Sequence, residues 1–91
     1  MFVALSSLFV ACQVAPPVQE MSDARQAISV ARNAGAEQSA TDVLRSAEAY
    51  LDSAQRNLTE RAYALARRDA LQAKTKALEA LAITEASRQP Q

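Results

Sequence analysis

Histidine and tryptophan are absent from this 91-residue chain, and glycine and cysteine occur once each. Without histidine there is no side chain whose ordinary pKa puts proton exchange near neutral pH, so the commonest general acid–base device is missing. A single cysteine excludes an internal disulfide framework and a cysteine-based zinc site. One glycine leaves no glycine-rich loop to cradle a phosphate, and no Ser-x-x-Lys element or carboxylate cluster with metal-ligand spacing occurs. Net charge is also lacking. Ten Lys and Arg balance ten Asp and Glu, and the signs are interspersed instead of forming blocks. The nearest approach to a basic patch is Arg67, Arg68, Lys74 and Lys76, interrupted by Asp69 and close to no aromatic except Tyr63, which reads as a solvated helix face instead of a nucleic-acid site. These absences lead to the expectation of no enzymatic activity, no cofactor, no metal, no small-molecule substrate and no nucleic-acid partner.

What is abundant is alanine, with 21 of 91 residues. Alanine is the best helix former because it loses almost no side-chain entropy on ordering. No run of alternating β-branched residues suggests a strand. The expected class is all-α, a small antiparallel helical hairpin or three-helix bundle behind an N-terminal signal helix.

The N-terminal segment has a different character. Phe2 to Ala11 is an uncharged, apolar run, too short to span a bilayer and suited to the h-region of a secretory signal. Cys12 follows it directly, and Val10-Ala11-Cys12 resembles the lipobox of bacterial lipoproteins, in which the cysteine is acylated and becomes the new N-terminus. Phe9 stands where that pattern favours leucine, and no Lys or Arg precedes Cys12, so the true start is expected upstream of Met1. The alternative is a buried apolar segment with an inert core thiol. On the lipoprotein reading, residues 1–11 are the signal and 12–19, with Pro16-Pro17, form a semi-extended tether. Residues 20–88 are then the helical domain. Cys12 is the lipidation site, holding the protein to the outer membrane on its periplasmic side. The outer-membrane assignment follows the bacterial sorting rule for Gln13 in place of Asp.

Three helices are expected, at about 20–34, 41–57 and 60–87. In the first, Ala24, Ala27, Ile28, Ala31 and Ala34 share a face, Ser22 or an earlier residue caps the start, and Gly35 sits where a left-handed C-cap is wanted. The second carries the seam Leu44, Ala47, Leu51, Ala54 and Leu58, with Thr41 as its cap and Asp42 in its first turn. Glu48 and Asp52 lie one turn apart on it, and Arg45 and Arg56 at helical reach suggest a surface ion-pair ladder. The third carries Tyr63, Ala66, Ala70, Ala73, Ala77 and Ala80 at strict three-four spacing, flanked by Leu71, Leu78 and Leu81. Such spacing suits a partner helix crossing at a shallow angle. No glycine or proline separates the last two helices. Unbroken, they would form a rod about 70 Å long with no compact core, so a turn is expected near 57–60, with Thr59 capping a helix that opens at Glu60. Tyr50 and Tyr63 are expected half-buried near that turn.

The stretch from Ala24 to about Ala80 resembles the bacterial domain-of-unknown-function family numbered 4398, found in small envelope lipoproteins. The likeness rests on Ala34-Gly35-Ala36, on Leu44-Arg45-Ser46-Ala47-Glu48-Ala49-Tyr50-Leu51, and on Arg61-Ala62-Tyr63-Ala64-Leu65-Ala66. It implies a helical, tetratricopeptide-like hairpin and no catalytic residues. The chain lacks the OmpA-like domain that sometimes accompanies the family, so peptidoglycan binding does not carry over. The expected role is a lipid-anchored interaction module whose partner is another envelope protein or a second copy of itself. The alternative is a self-associating coiled-coil spacer.

Overall fold

The computed structural model describes residues 15–88, all of whose regular structure is helical. Helix α1 spans Val18–Ala34, the four-residue α2 Ala36–Ser39, α3 Thr41–Thr59 and α4 Tyr63–Arg88. Cys12, the apolar run before it and Pro90 lie outside the described residues.

The long helices form an up-down-up bundle. Glu20 meets Arg67 at one end, and Gly35 lies beside Thr84 and Arg88 at the other, so α1 runs parallel to α4. Ser53 and Asn57 bond to Asp69, while Leu44 clusters with Ala77 and Ala80, so α3 runs antiparallel to both. Helix α4 is the shared element, packing more extensively on α1 and on α3 than those two pack on each other. Its buried line is Ala66, Ala70, Ala73, Ala77, Ala80 and Thr84, a three-four repeat that keeps one stripe facing the partners along its length. Twelve of the fifteen buried apolar residues are alanine. Each buries little area at roughly 25 cal/mol per Å², but small side chains at the contact let helix backbones approach closely. Met21, Ile28 and Leu44 supply the larger buried volumes.

Helix α3 starts at Thr41 as expected, while the starts of α1 and α4 and the capping residues differ from the sequence expectations. Helix α1 begins at Val18, inside the expected tether, with Pro17 as N-cap and no side-chain cap bond; Ser22 lies within the helix. Proline suits this place because a helix's first amides have no internal partner to lose. Thr41 does not cap α3. Ala40 holds the N-cap position with a broken conformation, φ −144° and ψ 47°, and the Thr41 hydroxyl donates backward to the Glu37 carbonyl at 2.6 Å. Nor does Thr59 open α4: it is the last residue of α3, and its hydroxyl donates to the Gln55 carbonyl.

Two left-handed residues make the turns. Gly35 (φ 106°) ends α1, its amide donating to Arg32 and its carbonyl accepting from Gln38 and Ser39, which starts α2, a turn the sequence reading did not anticipate. Arg61 (φ 61°) ends α3. Its amide bonds the Leu58 carbonyl and the Ala62 amide bonds that of Asn57, the paired 5→2 and 6→1 bonds of a Schellman motif. The turn therefore falls at 60–62 and not at 57–60. It is achieved without glycine.

Candidate functional site

Polar side chains concentrate at three places on this bundle. At the end where the chain enters, Arg67 of α4 donates through Nε to Glu20 Oε2 at 2.8 Å and through Nη2 to the Ala15 carbonyl at 3.0 Å. The hydrogen bond from Arg67, helped by Glu20's own backbone amide and by the guanidinium charge, holds the Glu20 carboxyl below its ordinary range. The incoming segment is thus strapped to α4.

At the opposite end Arg32 of α1 bridges Glu37 of α2 and Glu48 of α3. The ladder expected between Glu48, Asp52, Arg45 and Arg56 does not form among the described residues. Glu48 turns to Arg32 instead, because the antiparallel pairing of α1 and α3 brings a second-helix guanidinium within direct reach. These pairs are exposed and contribute little individually.

The third place lies between α3 and α4. Asp69 is only 6% exposed, and its Oδ2 accepts from Ser53 Oγ at 2.6 Å and Asn57 Nδ2 at 2.8 Å. Through these two bonds the cluster fastens α3 to α4. A shallow cleft of about 360 Å³ opens beside it, lined by Ser46, Ala49, Tyr50, Ser53 and Asp69. Tyr50 is therefore 36% exposed in mid-α3, away from the turn, while Tyr63 opens α4 half-buried. The Asp69 cluster was missed in the sequence. Its signal was the one-turn spacing of Ser53 and Asn57, together with Asp69 falling three after Ala66 and four before Ala73.

Of the residues expected in the helix seams, Leu44, Ala47, Ala54, Ala66, Ala70, Ala73, Ala77 and Ala80 are buried. Leu51, Leu58 and Tyr63 are half-buried at the edges. Leu44, Ala47, Ala77 and Ala80 join one apolar cluster with Ile28; Ala54, Ala70 and Leu58 join a second with Met21; and Leu51 packs against both. Leu81 of α4 packs half-buried against the first cluster, but the other large apolar side chains of α4 point elsewhere. Leu65, Leu71, Leu78 and Ile83 are each 40–49% exposed. Leu78 and Val30 of α1 both line an open groove of about 250 Å³, together with Asp23 and Lys74. Among the described residues no group of three or more His, Cys, Asp or Glu side chains could hold a metal, and no helix is long and apolar enough to cross a membrane.

This architecture defines a small all-α bundle with an alanine core, leucines on its surface and polar clusters at its helix junctions. A family model described as a domain of unknown function (DUF4398) matches residues 19–91, and the chain belongs to that family. The match takes in nearly the whole described bundle and begins beyond Cys12. No curated protein and no solved structure matches the chain.

Proposed function

We propose that this protein is a lipid-anchored, non-catalytic interaction module of the bacterial envelope, acylated at Cys12 and facing the periplasm from the outer membrane. The observation that carries the interaction role is the inversion of side-chain size. Alanine fills the core, while Leu65, Leu71, Leu78 and Ile83 remain on the surface of α4. Leu71 and Leu78 lie on one face of α4 with about half of each side chain uncovered, an apolar face that another protein can cover.

The anchor reading rests on Cys12 and is supported by the way the chain enters the bundle. Gln13 and Val14 alone separate Cys12 from Ala15, which Arg67 straps to α4. An acyl chain on Cys12 would hold the entry end of the bundle close to the lipid surface. One acyl chain gives reversible binding, whereas stable anchoring needs a second signal, so the full lipoprotein modification is the form expected. The coiled-coil spacer, as one continuous rod from α3 through α4, conflicts with the turn at Arg61.

The test is intact mass and metabolic palmitate labelling of the protein expressed with its native upstream region, beside Cys12→Ser. Acylated wild type in the membrane fraction and an unlabelled variant are the expected results. An unlabelled wild type overturns the anchor. In-cell crosslinking from the exposed leucines that yields only monomer overturns the interaction role.

A further inference from the structure

Helix α4 carries a second three-four repeat on the side away from its alanine seam. Arg68, Leu71, Thr75, Leu78, Ala82 and Glu85 recur at alternating spacings of three and four, and every one is exposed. At 100° per residue they form a continuous outer stripe. Val30 of α1, 46% exposed, lines the same groove as Leu78 and widens the stripe. Its apolar members, Leu71, Leu78 and Ala82, lie between Arg68 and Glu85 and offer a short face against which another helix can pack.

The charges decide what that helix is. Neither Arg68 nor Glu85 has an ion pair among the described residues, and they stand at opposite ends of the stripe. In an antiparallel pair of identical stripes, each first heptad position faces a fourth position of the other helix. Arg68 then faces Glu85 of the second copy at both ends. Leu71 faces Ala82, and Leu78 faces Thr75, so each leucine meets a smaller side chain that leaves it room. A parallel pair would set Arg68 on Arg68 and Glu85 on Glu85, and like charges in register disfavour it.

We infer that this face binds a second copy of the chain, forming an antiparallel two-fold dimer through the outer stripe of α4. The inference names the partner of the interaction module proposed above and rests on that reading. Two leucines per copy make a modest interface, with a dissociation constant on the order of 10–100 µM. Confinement to a membrane surface raises the effective concentration into that range. The two-fold puts the chain entries, marked by Arg67 and Ala15, at opposite ends of the pair. A dimer anchored in one leaflet therefore lies with α4 along the surface.

The experiment is sedimentation equilibrium of the full chain in mild non-ionic detergent, from about 5 to 500 µM, spanning that expected dissociation constant. Wild type is compared with Arg68→Glu, Glu85→Arg, the double reversal, and Leu78→Glu. Each single reversal puts like charges at both ends and is expected to weaken the dimer on the order of tenfold. The double reversal restores it to within about threefold. Leu78→Glu abolishes it. All five proteins should keep the same helical circular dichroism, because the substituted side chains are exposed. A wild type that stays monomeric throughout, or single reversals that leave the dissociation constant unchanged, overturns the inference. Failure of Cys12 acylation removes the anchor and leaves this result standing, so the two readings fail separately.

Discussion

Asp69 accepts a 2.6 Å hydrogen bond from Ser53 across the α3–α4 interface, and the same oxygen takes the Asn57 amide. One carboxylate thereby ties together two antiparallel helices whose apolar contact sets leucines and alanines of α3 against alanines of α4. Asp69→Ala leaves a hydroxyl and an amide with no partner in a part-buried place. A loss of about 1–3 kcal/mol is expected. Thermal unfolding should show it as a fall of several degrees at least, since about 1 kcal/mol moves the midpoint by roughly 4–8 °C in a chain of this size. A midpoint within a degree of wild type would mean that water replaces the carboxylate freely.

The alanine seam and the outer leucines should respond in opposite ways to substitution. Ala73 is fully buried, and Ala73→Leu forces added methylenes into a close helix contact, costing on the order of 1–3 kcal/mol. Leu71 is 49% exposed, and Leu71→Ala, measured at a dilution where the chain is monomeric, should stay within about 0.5 kcal/mol. Equal effects on chemical denaturation midpoints would show that the two faces of α4 are not distinct.

The two left-handed turn residues offer a matched pair. Arg61 occupies a conformation that a Cβ disfavours by about 1–2 kcal/mol. Arg61→Gly relieves this and, after the extra freedom of the unfolded glycine, should stabilise by about 0.5–1 kcal/mol. Gly35→Ala runs the other way. An added Cβ there meets Arg88 and Thr84 only at ordinary distances of 3.7 and 4.0 Å, so its cost of about 1–2 kcal/mol is conformational and not steric. Urea titrations of both variants measure the signs directly.

The Glu20–Arg67 pair sets an acid response. Its hydrogen bond from Arg67 lowers the folded pKa of Glu20 below the ordinary carboxylate value of 4.5. Between the two pKa values the unfolded chain binds more protons than the folded one, so stability rises with pH there. The contribution is complete above the ordinary value and disappears as pH falls through the lowered folded one. Glu20→Gln should flatten this part of the curve of melting temperature against pH and leave its shape above neutrality unchanged. A wild-type acid limb identical to that of the variant would show that the pair does not persist in solution.

Much of the fold was legible because it is written within four residues of each position. Alanine content and the absence of alternating β-branched runs determined the all-helical class, and three-four spacing marked the stripes that include Leu44, Ala47, Ala70, Ala73 and Ala77. Gly35 marked the end of α1 because only glycine reaches φ 106° without a Cβ penalty. The caps at Ser22, Thr41 and Thr59 were misread because a hydroxyl can turn back to a carbonyl one turn earlier, as Thr41 and Thr59 do, and local sequence does not separate that use from capping.

What the sequence by itself determined, then, was helix content, the phase of the apolar stripes and the sharp stop at Gly35, all consequences of local propensity and helical period. The tertiary structure decided the rest. It placed Arg61 in a left-handed turn with no glycine to announce it, buried Asp69 between Ser53 and Asn57, and drew Glu48 away from its own helix to Arg32. It also left Leu65, Leu71 and Leu78 of α4 on the surface while the seam alanines went in. These outcomes depend on which helices lie side by side and in which direction. The bonds of Asp69 to Ser53 and Asn57 and of Arg32 to Glu48 join positions 12 to 16 residues apart, beyond the reach of any local pattern.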